Sequence, residues 1–213
     1  MAHHPLLLGH RGMRGSPEVK ENTIEAFDLA LQHGCHGFEF DVRLTGDRRA
    51  VICHDPAVDR VKVEGARSGQ LGNLALLQQV FERFHSSAFM DVELKVAGLE
   101  NCVAEIAREF PPERGFVISS FLPEVLERLH PELSKGIICE TRSQLQGWQR
   151  LKVDYVISQW KMVSEELVRQ VHDSGARVFV WTVNDPHRMQ EFAGWGADGI
   201  ISDDTKLLVE TLG

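Results

Sequence analysis

A small set of side chains in this sequence has the types and spacing to do chemistry together. His10 and Arg11 are adjacent, Glu39 and Asp41 are separated by one residue, Glu93 and Lys95 likewise, and His54 precedes Asp55. Successive side chains of an extended strand point to opposite faces, so Glu39 shares a face with Asp41, and Glu93 with Lys95. Three carboxylates and an ammonium gathered in an interior are costly to desolvate unless a cation and an anionic ligand compensate them. Glu39, Asp41 and Glu93 offer hard oxygen ligands, which suit Mg²⁺ or Ca²⁺ better than zinc. Imidazole has the unperturbed pKa closest to neutrality, so two histidines can serve as general acid and general base. Arg11 and Lys95 bring the positive charge a phosphate needs, one as a planar fork and one as a point charge. Singly, each group has a plainer explanation: a solvated edge for E-x-D, ion pairs with neighbouring carboxylates for Arg11 and Lys95, a structural role for a histidine. His33, His36, His85, His130, His172 and His187 are read in that last way. The combination points to metal-assisted acid–base chemistry on a phosphate.

Such residues need a scaffold that brings them to one place. Apolar runs at Leu6 to Gly9, Gly37 to Val42, Ala88 to Lys95, Phe116 to Ser119, Gly136 to Cys139, Tyr155 to Ser158, Arg177 to Val183 and Gly199 to Ser202 read as strands, with a short extra run at Ala50 to Cys53. Helical periodicity separates them, over Asn22 to His33 and Gln70 to Phe84 and then from Leu99, Leu122, Arg142, Ser164, Asp185 and Asp204. Strand and helix alternating eight times predicts a parallel sheet closed as a (β/α)8 TIM barrel. No G-x-G-x-x-G turn follows the first strand, where an open dinucleotide-binding sheet would carry one. The candidate residues then fall at the carboxyl ends of strands, the mouth where such barrels place their sites. Arg60 to Gly72 has no clear element and is expected to form a short excursion after the second strand.

The composition excludes several other classes. The 213 residues, expected to form one domain, include 23 basic and 31 acidic ones, a net charge of −8, with no basic block to make a nucleic-acid footprint. No apolar run approaches the ~20 residues that span a bilayer, and the first residues read as neither signal peptide nor anchor. Cys35, Cys53, Cys102 and Cys139 lie far apart, which excludes a zinc finger or a disulfide scaffold and suggests buried thiols in a reducing, cytoplasmic setting. Within the excursion, Val61, Val63 and Leu71 could form a small apolar patch, the one feature suited to a lipid surface.

His10-Arg11-Gly12, Glu21-Asn22-Thr23, Glu39-x-Asp41, His54-Asp55, Glu93-x-Lys95, Trp181-Thr182-Val183-Asn184 and the run from Gly196 to Asp203 occur in this order. Together they resemble glycerophosphodiester phosphodiesterases over nearly the whole chain. The resemblance implies a TIM barrel and hydrolysis of a small glycerophosphodiester to an alcohol and sn-glycerol 3-phosphate. It implies one divalent cation, Mg²⁺ or Ca²⁺, bound by Glu39, Asp41 and Glu93, and acid–base catalysis by His10 and His54. Arg11 and Lys95 would hold the phosphodiester, and Trp181 would line the pocket for the glycerol or the leaving group. For Trp181 ordinary core packing is an equal explanation, and for Ser120 a turn or helix-cap role. Two other activities use the same constellation, a lysophospholipase D and a cyclising phospholipase D-like reaction; a catalytically silent phosphodiester-binding module is a third alternative. The chain departs from the family in two places. Lys20 stands where Pro often precedes Glu-Asn-Thr, and Asn22 with Glu25 has capping-box spacing, which gives Asn22 a structural role. Only 37 residues, positions 56 to 92, separate Asp55 from Glu93, fewer than in many members, which predicts a more open mouth.

Overall fold

The structure is a computed structural model that describes residues 4–213. Eight parallel strands form the expected barrel: β1 (Leu6–His10), β2 (Gly37–Leu44), β6 (Phe89–Leu94), β7 (Phe116–Ser120), β8 (Lys135–Cys139), β9 (Tyr155–Gln159), β10 (Arg177–Trp181) and β11 (Gly199–Ser202). Each pairs with the next in this order, and the circle closes where β1 pairs with both β2 and β11. A short strand β3 (Ala50–Ile52) returns antiparallel along the end of β2.

Outside the strands lie α1 (Ile24–Gln32), α2 (Leu77–Phe84), α3 (Glu100–Glu109), α4 (Pro123–Arg128), α5 (Arg142–Gly147), α6 (Glu165–Asp173), α7 (Pro186–Gly194) and α8 (Thr205–Leu212). Several begin at a polar residue left in extended conformation by the preceding loop, whose side chain accepts a backbone N–H of the first turn. Thr23, Ser164, Asp185 and Asp204 do this for α1, α6, α7 and α8, satisfying donors that have no intrahelical partner.

Strand alternation splits the core in two. Outward residues such as Phe38, Phe40 and Val42 meet the helices in a continuous apolar layer. Its densest part is aromatic: Phe27 of α1 stacks on Phe38 with centroids 4.3 Å apart, and Phe84 of α2 meets Phe38 edge-on at 5.0 Å. Inward residues Leu8, Phe89, Val117, Ile138, Tyr155, Ile157, Phe179 and Ile201 fill the barrel. Their rings interlock, Phe89 with Phe179 at 5.7 Å and Tyr155 with Phe179 at 4.9 Å, so the interior below the mouth is a packed floor. Gly37 faces this space between Leu8 and Phe89, and a Cβ there would lie 1.9 Å from the Phe89 carbonyl oxygen.

Two expectations are corrected in the excursion. The helix read from Gln70 starts at Leu77: Ser68–Gln70 makes a single 3₁₀ turn, Gly72 turns left-handed at φ +73°, and Leu76 is extended. The Ala75 carbonyl accepts the Ile52 N–H at 2.8 Å and Leu76 bridges to Val51, so pairing with β3 outcompetes helix there. The proposed apolar patch is absent. Val63 and Leu71 are buried in a small cluster with Val51, Cys53 and Ala66, leaving Val61 alone exposed, on the hairpin of β4 (Ala57–Val58) and β5 (Val61–Lys62). Of the four free cysteines, Cys35, Cys53 and Cys139 are buried and Cys102 is partly so. Among the described residues, no helix is long and apolar enough to cross a membrane.

Candidate active site

The sequence-predicted residues converge on the carboxyl-end mouth of the barrel. Parallel pairing places His10 beside Glu39 and Asp41 beside Glu93, which converts residue spacing on three strands into one cluster. Carboxylate oxygens of Glu39, Asp41 and Glu93 lie within 4.8 Å of one another, and all three residues are buried. Lys95, just beyond β6, reaches Glu93 Oε1 at 2.7 Å and Asp41 Oδ1 at 3.2 Å. Arg11 Nε lies 3.2 Å from Asp41 Oδ2, and the Arg11 backbone N–H donates to Glu39 Oε2 at 3.0 Å.

That last bond depends on a sharp turn after β1. Arg11 has φ +52° and Gly12 φ +77°, and at Gly12 a Cβ would meet the α1 backbone at Ala26 at 2.6 Å. Gly12 is therefore a position only glycine fills, and the turn it permits folds Arg11 back over the carboxylates. Asn22 is the second non-glycine residue in the left-handed region near the site, at φ +58°. It is no helix cap, since Thr23 takes that role. Its amide donates to Asp41 Oδ2 at 2.7 Å and accepts the Asp41 N–H at 3.2 Å. The capping-box spacing hid this contact: the left-handed backbone turns Asn22 inward and leaves the cap to its neighbour.

The carboxylates are unequally compensated. Burial would raise Asp41, but Lys95, Arg11 and the Asn22 hydrogen bond bring it below its ordinary value. Burial and the nearby Asp41 push Glu93 up to about 8 despite Lys95, and burial, Asp41 and Glu93 raise Glu39 well above the usual range. Glu39 Oε1 is buried without a hydrogen-bond partner. One layer deeper Asp91, paired in register with Glu39, accepts from Ser119 Oγ at 2.5 Å and is pushed by burial to about 7.

A cavity of about 340 Å³ opens above this cluster. His10, Arg11, Glu39, His54, Glu93 and Lys95 form its polar wall, with Asp91 at its base, and Phe121, Ile138, Ile157, Trp181 and Ile201 form the other wall together with Glu140. Trp181 is fixed by its Nε1–H donating to the Ile157 carbonyl at 3.2 Å and meets Phe121 edge-on at 5.8 Å. It lines the cavity while packing on the barrel floor. Ser120 is buried away from it, donating to the Leu94 carbonyl and accepting the Leu122 N–H at the start of α4. A wider groove of about 790 Å³, between residues 20–25 and the excursion, shares His54 with the cavity.

The two histidines are held differently. His10 is largely enclosed, with Nδ1 2.7 Å from Asp203 Oδ1 and Nε2 3.8 Å from Glu39 Oε2. His54 is more open, with Nδ1 2.8 Å from its exposed neighbour Asp55. Asp203 and Glu21 were visible in the sequence only as parts of motifs. Glu21 accepts from Arg11 Nη1 and Arg14 Nε, both at 2.6 Å, and so braces the arginine over the site.

Two cationic side chains, Arg11 and Lys95, and two imidazoles, His10 and His54, thus line one cavity with Glu39 and Glu93. Comparison with known proteins gives the family. The profile of the glycerophosphoryl diester phosphodiesterase family matches residues 10–78 and 88–207. The chain belongs to this family. It is thus a phosphoric diester hydrolase on a TIM barrel. The chain is 29% identical to the glycerophosphodiester phosphodiesterase of Caldanaerobacter subterraneus subsp. tengcongensis, over 96% of each chain. Its fold matches the crystal structure of the Thermotoga maritima glycerophosphodiester phosphodiesterase with a TM-score of 0.85 and 27% identity, covering 98% of both chains. An Oleispira antarctica phosphodiesterase, solved in complex with the product sn-glycerol-3-phosphate, has the same fold: TM-score 0.84, 21% identity, 98% of this chain and 96% of that one.

Proposed function

We propose that this site hydrolyses small glycerophosphodiesters to an alcohol and sn-glycerol 3-phosphate, using one divalent cation, Mg²⁺ or Ca²⁺, and His10 and His54 as the proton-transfer pair. Family membership supports the reaction class, and the glycerol 3-phosphate bound to the Oleispira antarctica protein matches the product. The observation that carries the cation is the Glu39, Asp41 and Glu93 cluster with Glu39 Oε1 buried and unpartnered, three oxygen donors facing only two positive side chains. These residues fit a hard divalent ion. When bound, it would polarise a phosphate oxygen and offset charge developing in the transition state.

The chain's own residues do the rest. Arg11 and Lys95 orient the phosphodiester over the cavity. One histidine takes a proton from the attacking oxygen as its bond to phosphorus forms; the other gives a proton to the alcohol oxygen as its bond to phosphorus breaks. The apolar wall of Phe121, Ile157 and Trp181 excludes water on the far side, and His54 borders the groove open to the alcohol group. The test is glycerol 3-phosphate release from glycerophosphocholine and glycerophosphoethanolamine with Mg²⁺, Ca²⁺ or EDTA. Release should need the cation and fall by about 10²-fold or more in His10→Ala and in His54→Ala. Full activity in EDTA would overturn the cation, and near wild-type turnover in either variant would overturn the acid–base pair.

A further inference from the structure

His10 is anchored by a carboxylate to which the reaction chemistry assigns no part. Asp203 follows the end of β11, and its Oδ1 lies 2.7 Å from His10 Nδ1. The same oxygen accepts from Arg14 Nη1 at 3.2 Å, and Oδ2 accepts from Asn184 Nδ2 at 2.7 Å. Asn184 cannot turn over, because its Oδ1 accepts both the Asp203 backbone N–H and the Ser202 hydroxyl, each at 2.9 Å. Donors thus surround both oxygens of Asp203, and an ionised carboxylate can only accept. The hydrogen between the two residues belongs to His10 Nδ1. In the neutral ring Nε2, the atom on the Glu39 side, is then the acceptor. Arg14 also binds Glu21, which binds Arg11, so one chain of ion pairs connects the His10 ring to the guanidinium over the cavity. His54 has no such framework, its partner Asp55 being 75% exposed.

We propose that Asp203 is a positioning residue for the hydrolysis: it fixes the tautomer and ring plane of His10 so that Nε2 faces the phosphodiester, while Asn184 and Arg14 hold Asp203 in register. The inference rests on His10 being a proton-transfer group. It follows the general logic of a carboxylate that orients a catalytic imidazole without itself exchanging the proton.

Asp203→Asn is the deciding variant. Asparagine brings one acceptor and one donor to a place where His10, Arg14 and the fixed Asn184 all donate, so the His10 hydrogen moves from Nδ1 to Nε2. The kcat for glycerol 3-phosphate release should fall at least about 100-fold with KM within about 3-fold. Nitrogen-15 NMR of the cation-free protein should report His10 as the Nδ1–H tautomer in the wild type and as Nε2–H in the variant. Asn184→Ala, which keeps the carboxylate but removes one donor, should lose about 10-fold in kcat and leave the tautomer unchanged. A kcat within about 3-fold of wild type in Asp203→Asn, or an Nε2–H tautomer already in the wild type, overturns the proposal. Should Asp203→Asn lack a native circular-dichroism melt, the wild-type tautomer and Asn184→Ala decide it. His10→Ala run in parallel separates the two claims: an active His10→Ala overturns the acid–base reading, whereas an inactive one beside an active Asp203→Asn overturns only the role of Asp203.

Discussion

The carboxylate cluster makes the stability of the cation-free protein depend on pH in an unusual direction. Glu93 is raised from 4.5 to about 8, and Glu39 is raised as well. A carboxyl whose folded-state pKa lies above its unfolded value binds its proton more tightly when folded. Its stabilisation is fully present below pH 4.5 and is lost as pH rises through about 8. Between about pH 5.5 and 8.5, Glu93 alone then removes on the order of 3 kcal/mol. For a chain of this size that lowers Tm by roughly 6–12 °C. Asp91, raised to about 7, acts in the same direction; Asp41 and Asp203 are lowered, so their contributions change only in acid, outside this window. The assay is calorimetry in EDTA across that range, repeated with millimolar Mg²⁺ or Ca²⁺. An ion present at about a hundred times its dissociation constant restores about 3 kcal/mol at the alkaline end, and Glu93→Gln makes the EDTA profile shallower, Glu39 and Asp91 still contributing. A Tm in EDTA that is flat or rises from pH 5.5 to 8.5 would refute the reasoning, because the buried carboxylates would then be compensated from within the protein.

Two further substitutions test the scaffold and the site. Gly37→Ala drives a methyl into the Phe89 carbonyl, which belongs to the backbone of β6 and cannot swing aside; denaturant melts should show a loss of at least about 1–3 kcal/mol. Lys95→Met removes the ammonium that contacts Glu93 and Asp41 and lies 5.6 Å over the Phe121 ring; kcat/KM should fall by about 10²-fold or more, measured as glycerol 3-phosphate release at saturating cation.

The strands were legible because a parallel strand buried on both sides is a continuous apolar run, and the site was legible because polar residues interrupt those runs at their carboxyl ends. Glu39, Asp41, Glu93 and Lys95 stand out against Phe38, Phe40, Val92 and Leu94 by that contrast alone. Contacts made by loops were less legible. The start of α2 was misplaced because Leu71 and Leu74 continue a helical periodicity, while the backbone of Ala75 and Leu76 is claimed by β3 from more than twenty residues upstream. Asn22 carried a correct local signal, capping spacing, that the left-handed turn overrode. Asp203 stood at the end of a motif, but nothing local in the sequence paired it with His10. Its partner His10 is 193 residues away, and only closure of the barrel between β1 and β11 brings them together.

That closure also explains how one mouth tolerates so much charge. Below it, Phe89, Tyr155 and Phe179 form a floor whose packing does not depend on any ionised group, so the barrel has its core before the mouth is reached. The carboxylates occupy inward positions of β2 and β6, where backbone hydrogen bonds of adjacent parallel strands hold them in register whatever their charge. Lys95 just beyond β6, with Arg11 and Asn22 from loops through left-handed turns, compensates Asp41, the most enclosed of the three, at 1% exposure. Glu39 and Glu93, which border the cavity, are less fully compensated, and burial with the neighbouring carboxylates raises both. Local compensation is thus more complete around the carboxylate that does not line the cavity than around the two that do. The proposed cation would be held by these three carboxylates, two of which open onto the cavity.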